Sequence, residues 1–169
     1  EITAGDVCRL QKMGRMHLYV QDEPGTEWVH EDEAALGFAQ TMAGEGVGFA
    51  TPPREGKINF TALCDGLFVV NTAMLNAFNR VEGVACASRQ GYTLVKHGEK
   101  LAGERAIPLY LHRDDYLRAL DTLDDDGPLF TVKPLRKARV GILITGTEVF
   151  QGLIQDGFGP SIRAKVEAY

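Results

Sequence analysis

The chain has 169 residues, of which 44% are hydrophobic and 24% charged, a composition typical of a soluble globular protein. Its net charge of −5 and isoelectric point near 5.4 argue against nucleic acid as a partner. No apolar run approaches the roughly 18 residues that a membrane span needs. The three cysteines are far apart, which argues against a disulfide framework or a zinc site and favours a cytoplasmic protein. Because the chain opens at Glu1 without a methionine, we expect residues to precede it.

The first part of the chain predicts two helices. Thr3 is placed to cap the first helix and Gly14 to end it, and a strand over Met16–Val20 follows. The second helix covers Glu31–Ala43, and its apolar face consists of Ala35, Phe38, Ala39 and Met42. Residues 44–56 are rich in glycine and proline and predict an irregular loop.

Beyond this loop the apolar period changes from that of a helix to that of a strand. Alternation over Lys57–Leu63 and the turn Asp65-Gly66 predict a hairpin into Leu67–Val70. Asn71 is placed to cap a short helix, and two strands are then predicted around the turn Arg89–Gly91, over residues 84–88 and 92–95. These elements predict a small, mostly antiparallel β-rich body.

The next segments predict a helix over His112–Leu120, a strand over Leu129–Val132 and a basic linker over Lys133–Lys137. We place a domain boundary in this linker. Residues 1–137 are then a β-rich α+β region, and residues 138–169 are the beginning of a second domain.

Two histidine-containing segments look metal-binding by composition, His30-Glu-Asp-Glu33 and His112-Arg-Asp-Asp115. Both stand where helices are predicted to begin, and carboxylates are stabilised there by the helix dipole. We therefore interpret them as helix starts. Arg54 and Lys57 allow two interpretations, an anion-binding pair or, with more weight, a solvated turn.

The segment Val140–Ile144 has apolar residues on both faces, which predicts a central parallel strand. It runs into the polar turn Thr145-Gly146-Thr147-Glu148, and ligands bind at the carboxyl ends of such strands. Main-chain amides, two hydroxyls and a glycine without a Cβ are suited to hold a phosphate. A helix is predicted to begin at Pro160, with Ile162, Val166 and Tyr169 at helical spacing.

This order of elements resembles the molybdopterin-binding superfamily. The matching residues are the strand, the turn Thr145-Gly146-Thr147-Glu148, then Gly152, Ile154, Asp156 and Gly159-Pro160. Upstream, Pro53–Asn59 and Val95–Leu109 resemble the bacterial branch called molybdopterin-binding proteins. The resemblance implies an α/β fold overall, in which a mixed β-rich α+β body precedes the incomplete beginning of a parallel-sheet, three-layer α/β domain.

The resemblance also implies a ligand and a site. The ligand or substrate would be molybdopterin, whose phosphate would be held by Thr145, Gly146 and Thr147, and Gly152 and Gly159 would be further cofactor-binding residues. Glu148 and Asp156 would be the catalytic residues and would share a Mg²⁺ ion beside the phosphate. A cation is expected there because two negative groups 4 Å apart cost roughly 4 kcal/mol at an effective dielectric near 20.

Three functions are open at this point. The first is a molybdopterin-handling transferase of molybdenum cofactor biosynthesis, which acts on the pterin phosphate or inserts molybdate. The second is a non-catalytic carrier or sensor, which is favoured because Asp156-Gly157-Phe158 stands where many family members have Asp-Ser-Asn. The third is a structural module, in which the β-rich body forms homo-oligomers or docks a downstream domain.

Overall fold

The computed structural model describes residues 3–15, 24–123 and 127–167. These residues form six helices and several antiparallel sheets, so the fold class is mixed α/β. The chain divides into two compact units between Lys133 and Pro134, whereas we placed the boundary near residue 137. The predicted strand Met16–Val20 and the acidic residues 124–126 lie outside the described residues.

Unit 1, up to Lys133, contains most of the regular structure. Its helices are α1 (Ala4–Lys12), α2 (Glu31–Met42), α3 (Thr72–Phe78) and α4 (Arg113–Asp121). Its strands are β1 (Trp28–His30), β2 (Val47–Phe49), β3 (Lys57–Ala62), β4 (Gly66–Val70), β5 (Val84–Ser88), β6 (Thr93–Val95), β7 (Lys100–Ala106), β8 (Tyr110–His112) and β9, which starts at Phe130 and ends at Pro134. Unit 2, from Pro134 onward, contains α5 (Thr147–Phe150) and α6 (Phe158–Glu167).

The described strands of unit 1 form three sheets. β1 pairs antiparallel with β8, and the largest sheet has the order β2-β3-β7-β5, in which every neighbouring pair is antiparallel. The third sheet has the order β6-β4-β9. In β3, every second side chain is buried, which places the other side chains on the outer face of the four-stranded sheet.

The predicted helices of unit 1 are confirmed. The apolar face of α2 is buried and includes the four residues expected there, Ala35, Phe38, Ala39 and Met42. Asn71 caps α3, because its side-chain oxygen accepts a hydrogen bond from the Met74 N–H at 3.1 Å. The N–H of Thr3 donates to the Asp6 carboxylate at 3.0 Å at the start of α1.

Aromatic rings hold the core of unit 1 together. The ring of Phe130 on β9 lies 5.2 Å from Phe60 on β3 and 5.8 Å from Phe68 on β4. Phe38 on α2 meets Phe78 on α3 edge to face at 5.2 Å. All five rings are fully buried, so they join the four-stranded sheet, the three-stranded sheet and two helices into one core.

The hairpin predicted at Asp65-Gly66 is wrong. β3 and β4 belong to different sheets, so the chain crosses between sheets at this turn. Asp65 accepts a hydrogen bond from the His97 N–H at 2.8 Å, and Gly66 packs so closely against β9 that a Cβ would not fit. Contacts with residues distant in sequence therefore override the local turn signal. The strands on either side of Arg89–Gly91 are also formed, but they too belong to different sheets.

The loop predicted over residues 44–56 is partly wrong, because it contains β2, which pairs with β3. It ends in a tight turn at Arg54–Lys57, where Glu55 has φ 51° and Gly56 has φ 66°. Positive φ at both central residues is typical of a type I′ turn. The pairing partner, rather than local alternation, decides that residues 47–49 form a strand.

The strand predicted over Val140–Ile144 is also wrong for the described chain, because residues 135–146 contain no strand. A strand needs a neighbour to accept and donate its main-chain hydrogen bonds, and residues 135–167 form no strand that could be this neighbour. The apolar side chains of this segment are accordingly exposed, and Leu143 is 88% exposed. α6 begins at Phe158, two residues before the predicted start at Pro160.

Candidate functional site

The turn Thr145-Gly146-Thr147 leads directly into α5, with Gly146 as its N-cap. Gly146 has φ 148° and ψ 121°, a conformation that a residue with a Cβ rarely adopts. Its carbonyl accepts a hydrogen bond from the Phe150 N–H at 3.0 Å. The first amides of a helix have no acceptor within the helix, so those that follow Gly146 can bind a ligand.

An open hollow of about 500 Å³ lies at this turn. Its lining residues are Ile144, Thr145, Gly146, Thr147, Val149 and Phe150. The structure therefore brings together three of the predicted site residues, the two threonines and the glycine between them. Phe150 adds an apolar side chain that is 93% exposed. Hydroxyls and main-chain amides beside an apolar wall suit a ligand with an anionic group and a flat ring.

The other two predicted glycines do not line this hollow. Gly152 has φ 70° and ends α5, where its N–H donates to the Val149 carbonyl at 3.1 Å. Gly159 lies in the first turn of α6, where a Cβ would collide with the Asp156 carboxylate. The local backbone therefore explains why both positions are glycine, and the role of these glycines in binding stays a prediction.

The two predicted catalytic carboxylates have different surroundings. Glu148 lies in the first turn of α5, next to Thr147. Asp156 caps the start of α6, because its Oδ1 accepts hydrogen bonds from the N–H groups of Phe158 at 2.9 Å and Gly159 at 3.1 Å. No group of three or more His, Cys, Asp or Glu side chains that could hold a metal occurs within the described residues. A magnesium ion fits this region only if a ligand phosphate supplies further oxygens to it.

The interpretation of both histidine segments as helix starts is confirmed. The His30 Nδ1 accepts a hydrogen bond from the Asp32 N–H at 3.2 Å and caps α2. The His112 Nδ1 accepts one from the Asp114 N–H at 3.3 Å and caps α4. Each histidine ends a strand of the β1–β8 pair, so the same strand–histidine–helix arrangement occurs twice. The two segments share too few residues for this repetition to be visible in the sequence.

Glu104 on β7 is a buried acid that sequence analysis missed. It is 1% exposed, and neither of its carboxylate oxygens has a hydrogen-bond partner among the residues that the structure describes. Burial raises the pKa of Glu104 to about 9. Cys86 stands opposite it on β5, and burial, followed by the charge of Glu104, raises the pKa of that thiol to about 12. Both groups are therefore neutral at pH 7. The sequence signal for Glu104 would have been an acidic residue at an inward-facing position of β7, but β7 was not among the predicted strands.

The fold and the site together define a mixed α/β protein with an antiparallel core unit and a separate unit that carries a glycine-dependent, hydroxyl-lined turn. Comparison with family models, with curated proteins and with solved structures finds no match. Within the described ranges, no helix combines the length and apolar character needed to cross a membrane.

Proposed function

We propose that this chain binds molybdopterin through the turn Thr145-Gly146-Thr147 and acts in molybdenum cofactor biosynthesis. The observation that carries this proposal is the backbone of Gly146, whose φ of 148° opens α5 beside a hollow that both threonines line. The resemblance of the surrounding residues to the molybdopterin-binding superfamily selects this pterin among phosphate-bearing ligands. In this proposal the pterin phosphate accepts hydrogen bonds from the amides that follow Gly146 and from the threonine hydroxyls.

The apolar residues that precede this turn indicate which kind of domain contains it. Val140, Ile142, Leu143 and Ile144 are all exposed, between 38% and 88%. A contiguous apolar run of this kind is normally covered by a neighbour. We propose that residues 138–169 are part of a parallel-sheet α/β domain and that this run is covered by other parts of that domain.

Glu148 is the proposed acidic residue of the site. Its carboxylate would lie close to the bound phosphate, and a Mg²⁺ ion between the two would remove their repulsion. Asp156 would contribute through water, because its oxygens already accept two amide hydrogen bonds from α6. Whether the bound pterin is then transformed separates the transferase from the carrier, and the Asp156-Gly157-Phe158 sequence favours the carrier.

The proposal is tested by titrating the full-length protein with molybdopterin and comparing Thr147→Ala with Thr72→Ala. Thr72 is an exposed threonine at the first position of α3, as Thr147 is at the first position of α5, so it is a matched control. We expect Thr147→Ala to weaken binding about tenfold, because a hydrogen bond to a charged group contributes about 1.5 kcal/mol or more. Thr72→Ala should leave the affinity unchanged.

A second substitution tests the metal. Glu148→Gln should abolish the dependence of pterin binding on Mg²⁺, whereas Glu82→Gln, at an exposed glutamate of unit 1, should leave it intact. If both Thr147→Ala and Glu148→Gln leave the affinity for molybdopterin unchanged, this turn is not the binding site. Turnover of the bound pterin identifies a transferase, tight binding without turnover identifies a carrier, and no binding by the intact protein leaves the structural module.

A further inference from the structure

The outer face of the four-stranded sheet carries cations on adjacent strands. The antiparallel register places Lys57 on β3 directly opposite Arg105 on β7, and Asn59 opposite Gly103. Lys100 lies farther along the same pairing, opposite Thr61. Like charges in directly opposed positions of a sheet destabilise the pair, so a protein keeps them at some cost in stability.

These cations are not neutralised by the protein. Among the residues that the structure describes, the ion pairs are Arg89–Glu99, His112–Asp114 and Arg118–Asp115, and none of them includes Lys57, Lys100 or Arg105. The Asp32 carboxylate near Lys57 accepts a hydrogen bond from the Gly56 N–H at 2.9 Å and forms no ion pair with Lys57. The face therefore carries net positive charge in a chain whose overall charge is −5.

A hollow of about 370 Å³ lies on this face. Its lining includes Lys57, Lys100, Asn59, Ser88 and a floor of small residues, Ala87, Ala102 and Gly103. The side chains of Lys57 and Asn59 lie over Gly103, where a Cβ would come within 3.3 Å of the Asn59 Oδ1 and 3.8 Å of the Lys57 Cε. The absence of a Cβ at Gly103 thus lets the Asn59 and Lys57 side chains lie close to the sheet, where both line the hollow.

A second hollow, of about 450 Å³, adjoins the first and shares two of its residues, Lys57 and Asn59. The guanidinium-bearing Arg54 is part of its lining, together with Ala50, Thr51 and Pro52. Lys57 and Asn59 therefore stand between two hollows, each of which has a further cation. This arrangement provides one anchoring point for an anion and space on either side for the rest of a small molecule.

We propose that the outer face of the β3-β7-β5 strands is a binding site for a small phosphate monoester, anchored between Lys57, Lys100 and Asn59 above Gly103. A phosphate dianion matches two lysines and an amide donor better than a single carboxylate does, because it accepts several hydrogen bonds and carries up to two charges. The site lies wholly within unit 1. It is independent of the turn at Thr145–Thr147, and it stands whether or not the chain binds a pterin.

The test is a titration of the full chain with inorganic phosphate and with ribose 5-phosphate at constant ionic strength, followed by amide chemical shifts in NMR spectra. We expect the Gly103 N–H and the Asn59 side-chain amide to shift and saturate, with ribose 5-phosphate binding more tightly than inorganic phosphate. Lys57→Gln should weaken both ligands about tenfold. Lys165→Gln, which removes an exposed lysine of α6, should not. The same loss should appear in a Thr147→Ala background, which separates this site from the turn.

The unliganded variant provides a second measurement. Because Lys57→Gln relieves the repulsion from Arg105, its melting temperature without ligand should equal or exceed that of the wild type, while its stabilisation by phosphate is lost. Three results would each overturn the proposal. The first is that chloride at the same ionic strength has the same effect as phosphate, and the second is that citrate binds more tightly than ribose 5-phosphate. The third is that Lys57→Gln and Lys165→Gln bind the ligands with equal affinity. Binding of a DNA oligonucleotide in preference to ribose 5-phosphate would overturn it in favour of a nucleic-acid surface.

Discussion

The two units of the chain differ in whether their apolar side chains are buried. In unit 1, phenylalanines from α2, α3, β3, β4 and β9 are fully buried against one another. In unit 2, neither helix contains a buried residue, and Phe150 and Leu143 are 93% and 88% exposed. Unit 1 brings together strands that are distant in sequence, such as β3 and β7, whereas residues 135–167 of unit 2 form two helices and no strand.

The difference shows that apolar character alone does not bury a segment. The run Val140–Ile144 is as apolar as β4, yet β4 lies between two partner strands and the run lies beside none among the described residues. Burial depends on partners that complete the hydrogen bonds of the backbone and cover the side chains. Three pairs of substitutions, each a test and its control, sharpen this contrast.

The largest effect is expected from a matched pair of phenylalanines. Phe130→Ala should lower the free energy of unfolding by about 3–5 kcal/mol, because it leaves a cavity between the rings of Phe60 and Phe68. Phe150→Ala removes an exposed ring and should change it by less than about 0.5 kcal/mol. Chemical denaturation of the full chain measures both. Similar losses in the two variants would show that Phe150 is covered in solution.

The next effect concerns the buried acid of unit 1. The pKa of Glu104 is about 9 in the folded chain against an ordinary value of 4.5, so above pH 4.5 the unfolded chain releases a proton that the folded chain retains. The stability contributed by the protonated acid is full below pH 4.5 and is lost as the pH rises toward 9, a loss of about 3 kcal/mol at pH 7.

Glu104→Gln mimics the protonated acid and cannot ionise. It should therefore flatten the decline of stability between pH 5 and pH 9 and exceed the wild type in stability at pH 8, as measured by urea unfolding across pH. Glu82→Gln, at an exposed position, is the control and should retain the wild-type slope. A wild-type stability that does not fall over this range would contradict the burial of an unpaired carboxyl group.

The smallest effect belongs to the turn of unit 2. Gly146→Ala forces a Cβ into a backbone with φ 148° and should destabilise α5 by on the order of 1–3 kcal/mol. Gly141→Ala is the control, because a Cβ there meets nothing within 4 Å. Cα chemical shifts of Glu148 and Val149 report the helix. Helical shifts that survive Gly146→Ala would show that the turn does not require glycine.

Much of the helical structure could be predicted because its signals are local. Asn71 as a cap, the apolar face of α2 and the two histidine-led helix starts depend on residues within one or two turns of each other, and each is confirmed. The strands β3 and β5 could also be located, since alternation or apolar content marks them. Their partners could not be predicted, because pairing depends on contacts across many residues.

The candidate sites divide along the same line. The sequence predicted that Thr145, Gly146 and Thr147 lie together in one turn, because they are consecutive residues and the conformation of Gly146 is set locally. The grouping of Lys57, Asn59 and Lys100 could not be predicted, because it arises from the register of β3 against β7. Glu104 was missed for the same reason, since its burial depends on a strand that the local pattern did not mark.

The sequence by itself determined where the helices of unit 1 begin, which face of α2 is apolar and where the glycine-containing turn lies. The tertiary structure decided which strands pair, that β3 and β4 separate into two sheets, and that Val140–Ile144 forms no strand within the described residues. The physical reason is that helix caps and helix hydrogen bonds are completed within a few residues of the chain. A strand is completed only by a neighbour, and neither the neighbour nor its register is present in the local sequence.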